Sequence, residues 1–201
     1  MTVVDHIVVR RLGRADYFAT WEAMRSFTRA RDDSTPDELW VLEHLPVYTV
    51  GQGAPIPLIH SDIPVIKTDR GGDITYHGPG QVVIYTLVDL ARRSIKVKRF
   101  VWLLEQAVID LLCGRAERKT GAPGVYVDGA KIAALGIRVV RGRAYHGVAL
   151  NVDMELSPFS AIDPCGYPGL RMTQMKDLGF AETPATVASS LCQILFEKLD
   201  A

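Results

Sequence analysis

The segment between residues 124 and 152 most constrains the fold of this chain. Three apolar, β-prone stretches, Gly124–Val127, Ala130–Val140 and Ala144–Val152, are separated only by Asp128-Gly129 and by Arg141-Gly142-Arg143. An Asp-Gly pair between apolar stretches favours a two-residue hairpin turn, because both turn positions require a positive φ. The sequence therefore predicts three neighbouring antiparallel strands.

Strand and helix patterns elsewhere in the chain do not alternate regularly, which disfavours a doubly wound parallel sheet. Apolar residues at helical spacing predict amphipathic helices over about 15–31 and 98–113, and a last helix that begins with Thr183 as N-cap and Pro184 at its first position. Four further segments have strand character: Val3–Arg10, Leu39–Val50, Ile63–Thr68 and Gln81–Val88. We expect an α+β fold, a mixed or antiparallel sheet with packed helices, forming a single domain over residues 1–201.

The charge balance and the cysteines exclude several classes of protein. The 201 residues contain 23 basic and 23 acidic side chains, whereas a dedicated nucleic-acid or membrane-surface binder normally carries a basic excess. Three widely separated cysteines form no disulfide framework and suit a reducing compartment. No apolar run approaches the roughly 18–20 residues that span a bilayer. We expect a cytoplasmic protein that binds neither nucleic acid nor membrane.

A glycine-rich segment, residues 69–81, is the densest unusual stretch of the sequence. It reads Asp-Arg-Gly-Gly-Asp-Ile-Thr-Tyr-His-Gly-Pro-Gly-Gln and lies between two apolar strands. Such glycines serve either tight turns or a backbone that must approach a ligand closely, and their density alone leaves both open. The segment lacks the Gly-Lys-Ser/Thr of a phosphate-binding P-loop, and no helix opens after it as in a dinucleotide site.

Cys165 is the cysteine most suited to chemistry. It lies between Pro164 and Pro168 in a segment that cannot be regular structure, so we expect its thiol on a ligand-accessible loop. Cys113 and Cys192 fall within predicted helices, where a cysteine usually packs as a small buried hydrophobe. A nucleophilic thiol needs a base, and the residues alone do not choose between His77 and His146 for that role.

Lys131 follows the Asp-Gly turn on a strand face that is otherwise apolar. A lysine in this position either extends its amine to water at the strand end or is buried for a function. The small residues Ala133, Ala134 and Gly136 beside it leave the space that an acyl-binding channel would require.

Together these segments resemble the lipoyl(octanoyl) transferase family of lipoate biosynthesis. The shared motifs are Arg70-Gly71-Gly72, Thr75-Tyr76-His77-Gly78-Pro79-Gly80-Gln81, Pro123-Gly124-Val125-Tyr126-Val127, Lys131-Ile132-Ala133-Ala134-Leu135-Gly136, His146-Gly147-Val148-Ala149-Leu150-Asn151 and Pro164-Cys165-Gly166. The clear resemblance covers roughly residues 43–169. It implies the α+β fold of the catalytic domains of biotin and lipoate protein ligases.

The resemblance also implies a reaction and its residues. An octanoyl group would pass from octanoyl-acyl carrier protein to a specific lysine of lipoyl domains, in 2-oxoacid dehydrogenase complexes and the glycine cleavage H protein. Cys165 would be the nucleophile that forms an octanoyl thioester, and Lys131 would lower the pKa of its thiol and move protons. The implied acyl-binding residues are Arg70, Gly71, Gly72, Asp73, Ile74, Thr75, Tyr76, His77, Ala134, Leu135, Gly136, Gly147, Val148 and Ala149.

Two rival functions share these features in part. An ATP-dependent lipoate or biotin ligase has the same fold but forms an acyl-adenylate and does not need the cysteine. A non-catalytic lipoyl-domain binding protein would not depend on Cys165. For the transferase we expect no cofactor, because its substrate arrives activated, and no metal, because the cysteines are not spaced as ligand pairs.

Overall fold

The structure is a computed structural model that describes residues 7–164 and 169–200. Within these residues the chain forms ten strands and three α-helices. In chain order they are β1 (Ile7–Ala15), α1 (Tyr17–Ala30), β2 (Asp37–His44), β3 (Val47–Val50), β4 (Val65–Lys67), β5 (Ile74–His77), β6 (Gln81–Asp89), α2 (Val97–Leu111), β7 (Glu117–Lys119), β8 (Ala122–Val127), β9 (Ala130–Val140), β10 (Arg143–Asn151) and α3 (Pro184–Asp200).

The strands form one large and one small sheet. The large sheet has seven strands in the order β1-β2-β6-β10-β9-β8-β7, parallel only between β1 and β2. The small sheet has the order β4-β3-β5, with β3 parallel to β4 and antiparallel to β5. Mixed sheets with packed helices are an α+β fold, which confirms the predicted class.

The two faces of the large sheet are covered by different helices. Because side chains alternate along a strand, Ile84 of β6 faces the α2 and α3 side, whereas Val83 and Tyr85 face α1. Met24 of α1 is fully buried in this second layer. The small sheet has its own apolar cluster around Tyr48 and Phe159.

The Asp-Gly turn predicted between the first two of the three antiparallel strands is confirmed. Asp128 and Gly129 have φ values of 49° and 78°, and strand β9 has the expected bounds, Ala130–Val140. The last helix begins at Pro184, and the Thr183 hydroxyl accepts a hydrogen bond from the Thr186 amide at 3.3 Å.

Three local expectations differ from the structure. The segment Leu39–Val50 is interrupted at Pro46, as its sequence indicates, but the two strands that result lie in different sheets, which was not predicted. The short strands β5 and β7 were not predicted either. The second helix ends at Leu111, so Cys113 adopts a positive φ of 54° in the following turn and is exposed. The interpretation of Cys113 as a core thiol is therefore wrong, whereas Cys192 of α3 is buried as expected.

Candidate active site

A narrow cavity lies between the small sheet and strands β6, β9 and β10 of the large one. Residues from α1, the loop before β5, β5 itself and the three large-sheet strands form its wall. They are Tyr17, Arg70, Gly72, Asp73, Thr75, His77, Val83, Tyr85, Ala134, Leu135, Gly136, His146, Gly147, Val148 and Ala149.

Small residues on neighbouring strands make room for this cavity. Ala134 of β9 is paired with Ala149 of β10, and Gly136 with Gly147. A Cβ atom at Gly147 would lie 2.2 Å from the Ile84 carbonyl oxygen, so this position requires glycine. Cross-strand pairs of such small side chains leave a trough where larger residues would fill the space.

The loop that contains Arg70 and Gly71, termed the glycine loop below, is hydrogen-bonded to both sheets. The buried Arg70 guanidinium donates to the Thr49 carbonyl oxygen at 2.5 Å and to the Gly71 carbonyl oxygen at 2.9 Å. The Gly71 amide in turn donates to the Ile137 carbonyl oxygen of β9 at 3.0 Å. The loop therefore forms a fixed wall of the cavity.

Buried imidazoles and phenols form the inner end of the cavity. His77 Nδ1 lies 2.7 Å from Gln81 Oε1, and the Tyr85 hydroxyl lies 2.6 Å from His44 Nε2. Burial lowers the pKa of His44 to about 4, and burial, aided by His44 nearby, holds the pKa of His77 well below its usual range. These imidazoles are therefore neutral at pH 7, and the inner end carries no imidazolium charge.

Asp69 connects the cavity wall to the outer surface of the protein. Its carboxylate accepts from Trp21 Nε1 at 2.8 Å and from the Tyr145 hydroxyl at 2.5 Å, and it lies 2.9 Å from His146 Nε2. Burial alone would raise the pKa of Asp69, but the hydrogen bonds from His146, Tyr145 and Trp21 hold it well below its usual range. The ionised carboxylate assigns the His146 proton to Nε2.

Lys131 is buried rather than extended to water, with 1% of its surface exposed. Its Nζ donates to the Pro123 carbonyl oxygen at 3.0 Å and lies 5.4 Å from the centre of the Tyr126 ring. A Cβ atom at Gly124 would meet Lys131 Cε at 2.4 Å, so the missing side chain there gives the lysine its space.

The main chain of Lys131 pairs with the segment at residues 171–173, which follows Cys165 in the sequence. The Lys131 amide donates to the Arg171 carbonyl oxygen at 2.8 Å, and its carbonyl oxygen accepts from the Thr173 amide at 2.9 Å. Cys165, expected on an accessible loop as the nucleophile, lies outside the described residues.

A second cavity connects the first with the surroundings of Lys131. It has a volume of about 310 Å³ and is lined in part by Val101, Gly121 and Pro123, the residue whose carbonyl oxygen Lys131 contacts. It shares Gly72, Asp73, Leu135 and Gly136 with the first cavity. The two cavities therefore adjoin, and Pro123 connects the wall of the second one with Lys131; below, we term the second one the α2 groove.

The structure brings together eleven of the fourteen predicted acyl-binding residues on the cavity wall. Gly71 lines the α2 groove instead. Ile74 and Tyr76 belong to the apolar cluster of the small sheet, because alternate residues of β5 face opposite sides.

Sequence reasoning missed Tyr17, Val83 and Tyr85 as wall residues, and considered His146 only as a base. Tyr17 comes from α1, far in sequence from the glycine-rich segment, whereas the other two lie in β6, directly after that segment. Their only sequence signal is that of core residues, since each continues an apolar face of its own element.

Comparisons with known proteins agree with this geometry. Residues 16–196 match the family described as lipoyl protein ligase A/B catalytic domain. An octanoyltransferase of Aromatoleum aromaticum is 62% identical over 194 residues, which cover 94% of this chain and 84% of that protein. An octanoyltransferase of Azoarcus sp. is 57% identical over 199 residues, with 96% and 88% covered.

Solved structures share the fold at low sequence identity. Lipoate-protein ligase A bound with ATP has a TM-score of 0.76 at 13% identity, with 96% of this chain and 85% of that chain covered. A biotin protein ligase from Aquifex aeolicus in complex with biotin and ATP has a TM-score of 0.59 at 11% identity, with 96% and 70% covered.

The solved structures show that the chain shares the fold of lipoate and biotin protein ligases, and the family match defines its class. The chain belongs to the lipoyl protein ligase A/B catalytic domain family, and within it is a transferase, like the relatives that it matches at 50–62% identity. None of the helices in the described ranges is long and apolar enough to cross a membrane.

Proposed function

We propose that this enzyme transfers an octanoyl group from octanoyl-acyl carrier protein to a specific lysine of lipoyl domains, through a thioester on Cys165. The observation that carries the proposal is Lys131, a buried lysine whose Nζ donates to the carbonyl oxygen of Pro123 in the wall of the α2 groove. The relatives named octanoyltransferase supply the identity of the acyl group.

The cavity supports an apolar acyl chain as its occupant. Its wall combines glycine, alanine, valine and leucine of the strands with the imidazoles of His77 and His146, whose pKa burial lowers. The charged wall residues Arg70 and Asp73 belong to the segment before β5. A chain of eight carbons gains about 0.8 kcal/mol for each methylene that it removes from water.

Cys165 and Lys131 would act in two steps. In the first, Cys165 Sγ attacks the carbonyl carbon of the octanoyl thioester, the carbon–sulfur bond to the carrier breaks, and the carrier thiol leaves with the proton taken from Cys165. In the second, the neutral lysine amine of the lipoyl domain attacks the carbonyl carbon of the enzyme thioester, the bond from that carbon to Cys165 Sγ breaks, and the proton lost by the amine passes through Lys131 to Sγ as the stable amide forms. A free thiol with a pKa of about 8.5 is only slightly ionised at pH 7, so a proton-accepting or cationic neighbour is needed.

Connectivity supports the pairing of these two residues. The segment that pairs with the main chain of Lys131 lies close in sequence to Cys165, since Arg171 follows it by six residues. The lysine therefore holds the end of the segment that carries the cysteine. Thioester chemistry needs a reduced thiol, and for that reason we propose the cytoplasm as the location.

Intact-protein mass spectrometry after mixing with octanoyl-acyl carrier protein tests the mechanism. We expect one octanoyl adduct, absent in Cys165→Ser, and transfer to an apo lipoyl domain without ATP. Lys131→Met, which keeps the buried volume, should slow adduct formation by about 10²–10⁴-fold, the usual contribution of a proton-transferring residue. Circular dichroism of both variants shows whether they remain folded.

Two outcomes would replace the proposal. Product that forms only with ATP and free octanoate would indicate a ligase that proceeds through an acyl-adenylate. Undiminished lipoylation in cells that carry Cys165→Ser would indicate a protein that binds lipoyl domains without acylating them. A fully active Lys131→Met enzyme would show that Lys131 is not the residue that assists Cys165.

A further inference from the structure

An exposed tryptophan on α2 lies between two arginines, next in sequence to Val101 of the α2 groove. Trp102 is 38% exposed, with the Arg99 guanidinium 4.2 Å and the Arg118 guanidinium 4.6 Å from the centre of its ring. Val97, at the start of the same helix, is 46% exposed. Lys96 and Lys98 are also exposed; below, the term Trp102 surface denotes Lys96, Val97, Lys98, Arg99, Trp102 and Arg118.

The positive charge of this surface is little compensated within the described residues. The first turn of α2 contains no acidic residue and no side chain caps it. The nearest carboxylates are Glu105, which is buried against Arg118 and the Gly124 amide, and the exposed Glu117 of β7. Cations in the first turn oppose the helix dipole, so helix stability does not explain them.

Two other groups of basic residues within the described ranges are partly compensated by carboxylates. Arg92 and Arg93, although adjacent in sequence, both contact the buried Asp37 carboxylate, at 2.7 and 2.5 Å. In the basic groove around Arg29 and Arg141, the neighbouring Arg143 pairs with Asp89 at 3.3 Å. That groove lies at the far end of β9, at least seven residues or about 23 Å from Lys131 along the strand.

The Trp102 surface lies beside the α2 groove. Val101, next to Trp102 in sequence, lines this groove together with Pro123, whose carbonyl oxygen accepts a hydrogen bond from Lys131 Nζ. Glu105 Oε1 accepts from the Gly124 amide at 3.0 Å, and Gly124 packs against Lys131. The helix that carries the Trp102 surface therefore contacts the segment that covers the lysine, and Lys98 precedes Glu105 by about 10 Å of helix.

We infer that the Trp102 surface is the docking site for the acyl carrier protein, an acidic protein that presents its acyl thioester on an extended arm. Acidic residues of the carrier would face Lys96, Lys98 and Arg99, and apolar residues would cover Trp102 and Val97. The arm would follow the α2 groove past Pro123 and deliver the thioester beside Lys131. The acceptor lysine of a lipoyl domain is a side chain of four carbons, too short for this path, so the lipoyl domain approaches elsewhere.

This inference takes the identity of the donor from the proposed function, and the test separates the two. The Lys98→Glu/Arg99→Glu variant is assayed with octanoyl-acyl carrier protein and with octanoyl-pantetheine, which carries no protein. We expect KM for the carrier donor to rise roughly tenfold or more, with kcat and the KM for octanoyl-pantetheine within twofold of the parent enzyme. Arg29→Glu/Arg141→Glu, an equal change of charge in the remote basic groove, is the matched control and should leave KM for the carrier unchanged.

Binding of holo-acyl carrier protein, measured by titration calorimetry at low and high salt, tests the surface even if no transfer occurs. The Lys98→Glu/Arg99→Glu variant should lose binding and the salt dependence that accompanies it.

Unchanged carrier binding and KM in that variant would overturn the inference, as would an equal effect of the control variant. A rise confined to the KM for the lipoyl domain would reassign the surface to the acceptor. The parent enzyme could also fail to transfer the octanoyl group while only the Lys98→Glu/Arg99→Glu variant loses carrier binding. That result would reject the proposed reaction and retain the surface as the docking site.

Discussion

Burial of Lys131 depends on the absence of a side chain at one neighbouring residue. Gly124 has a φ of 141°, and its Cα faces the end of the lysine side chain. The Pro123 carbonyl oxygen, one residue earlier, accepts the hydrogen bond from Lys131 Nζ. The two residues together set the position of the amine that the proposed mechanism uses.

We predict that Gly124→Ala reduces transfer much more than it reduces stability. The added methyl group would lie 2.4 Å from Lys131 Cε and 3.0 Å from Nζ, so the amine must move. A displacement of this size at a catalytic group costs about 10²-fold in kcat/KM. Rates of octanoyl transfer and the urea midpoint are measured side by side.

Gly114→Ala is the matched control for backbone strain. Gly114 also has a positive φ, 75°, but a Cβ atom there would meet no atom within 4 Å. It should lose about 1 kcal/mol of stability and retain full activity. Equal losses of activity in both variants would contradict a role for Gly124 in placing the lysine.

At the level of single residues, the sequence identified unusual residue types but not their surroundings. Lys131 is recognisable as a lysine on an apolar strand face, yet its burial depends on the β8 segment that covers it, which local patterns do not encode. The glycine pairs of β9 and β10 were recognisable in the same way. Tyr17 and Tyr85 were not, because only the packing of α1 and β6 brings them to the cavity.

At the level of elements, the alternation of a short strand decides which residues of the glycine-rich segment face the cavity. Residues 74–77 form β5, so Thr75 and His77 face the cavity while Ile74 and Tyr76 face Phe159. Because glycines precede this short strand, the alternation of its side chains between two faces could not be recognised in the sequence. In contrast, the long strands β9 and β10 have clear turns and apolar runs, and their small residues could be placed in register.

The paired alanines of β9 and β10 should set how long an acyl chain the cavity holds. We predict that Ala149→Leu shifts preference from octanoyl towards hexanoyl donors, because the larger side chain fills part of the trough opposite Ala134. Overpacking of this kind costs about 1–3 kcal/mol, so the kcat/KM ratio of hexanoyl to octanoyl transfer should rise about tenfold. The comparison of two donors on one variant cancels any general loss of activity. An unchanged ratio would exclude the trough as the acyl site.

At the level of the whole molecule, one buried carboxylate joins elements from both ends of the chain. Asp37, at the start of β2, accepts from Arg31 after α1 at 2.6 Å, and from Arg92 and Arg93 after β6. Arg93 also donates to the Leu199 carbonyl oxygen of α3 at 2.8 Å. Charge counts along the sequence give no sign of such a centre, because its members are brought together only when the sheet and all three helices have formed.

The same centre should contribute to stability at neutral pH and lose that contribution in acid. Burial raises the pKa of Asp37, but hydrogen bonds from Arg93, the Asp89 amide and Arg31 outweigh it and hold the pKa below its usual range. A carboxyl group with a lower pKa in the folded state stabilises the fold above the unfolded value of about 3.9, and the contribution disappears as pH falls through the folded value.

We therefore predict that Asp37→Asn destabilises the protein by about 3–5 kcal/mol at pH 7, because three arginines then surround a neutral group and Arg31 is fully buried. Urea unfolding from pH 7 down to pH 3 should show a constant difference from the parent protein above about pH 5 and a shrinking one below about pH 4. Asp33→Asn, the same change at an exposed residue nearby, should produce a difference within about 0.5 kcal/mol throughout. A difference for Asp37→Asn that stays constant down to pH 3 would mean that the shape of the side chain, and not its charge, holds the arginines together.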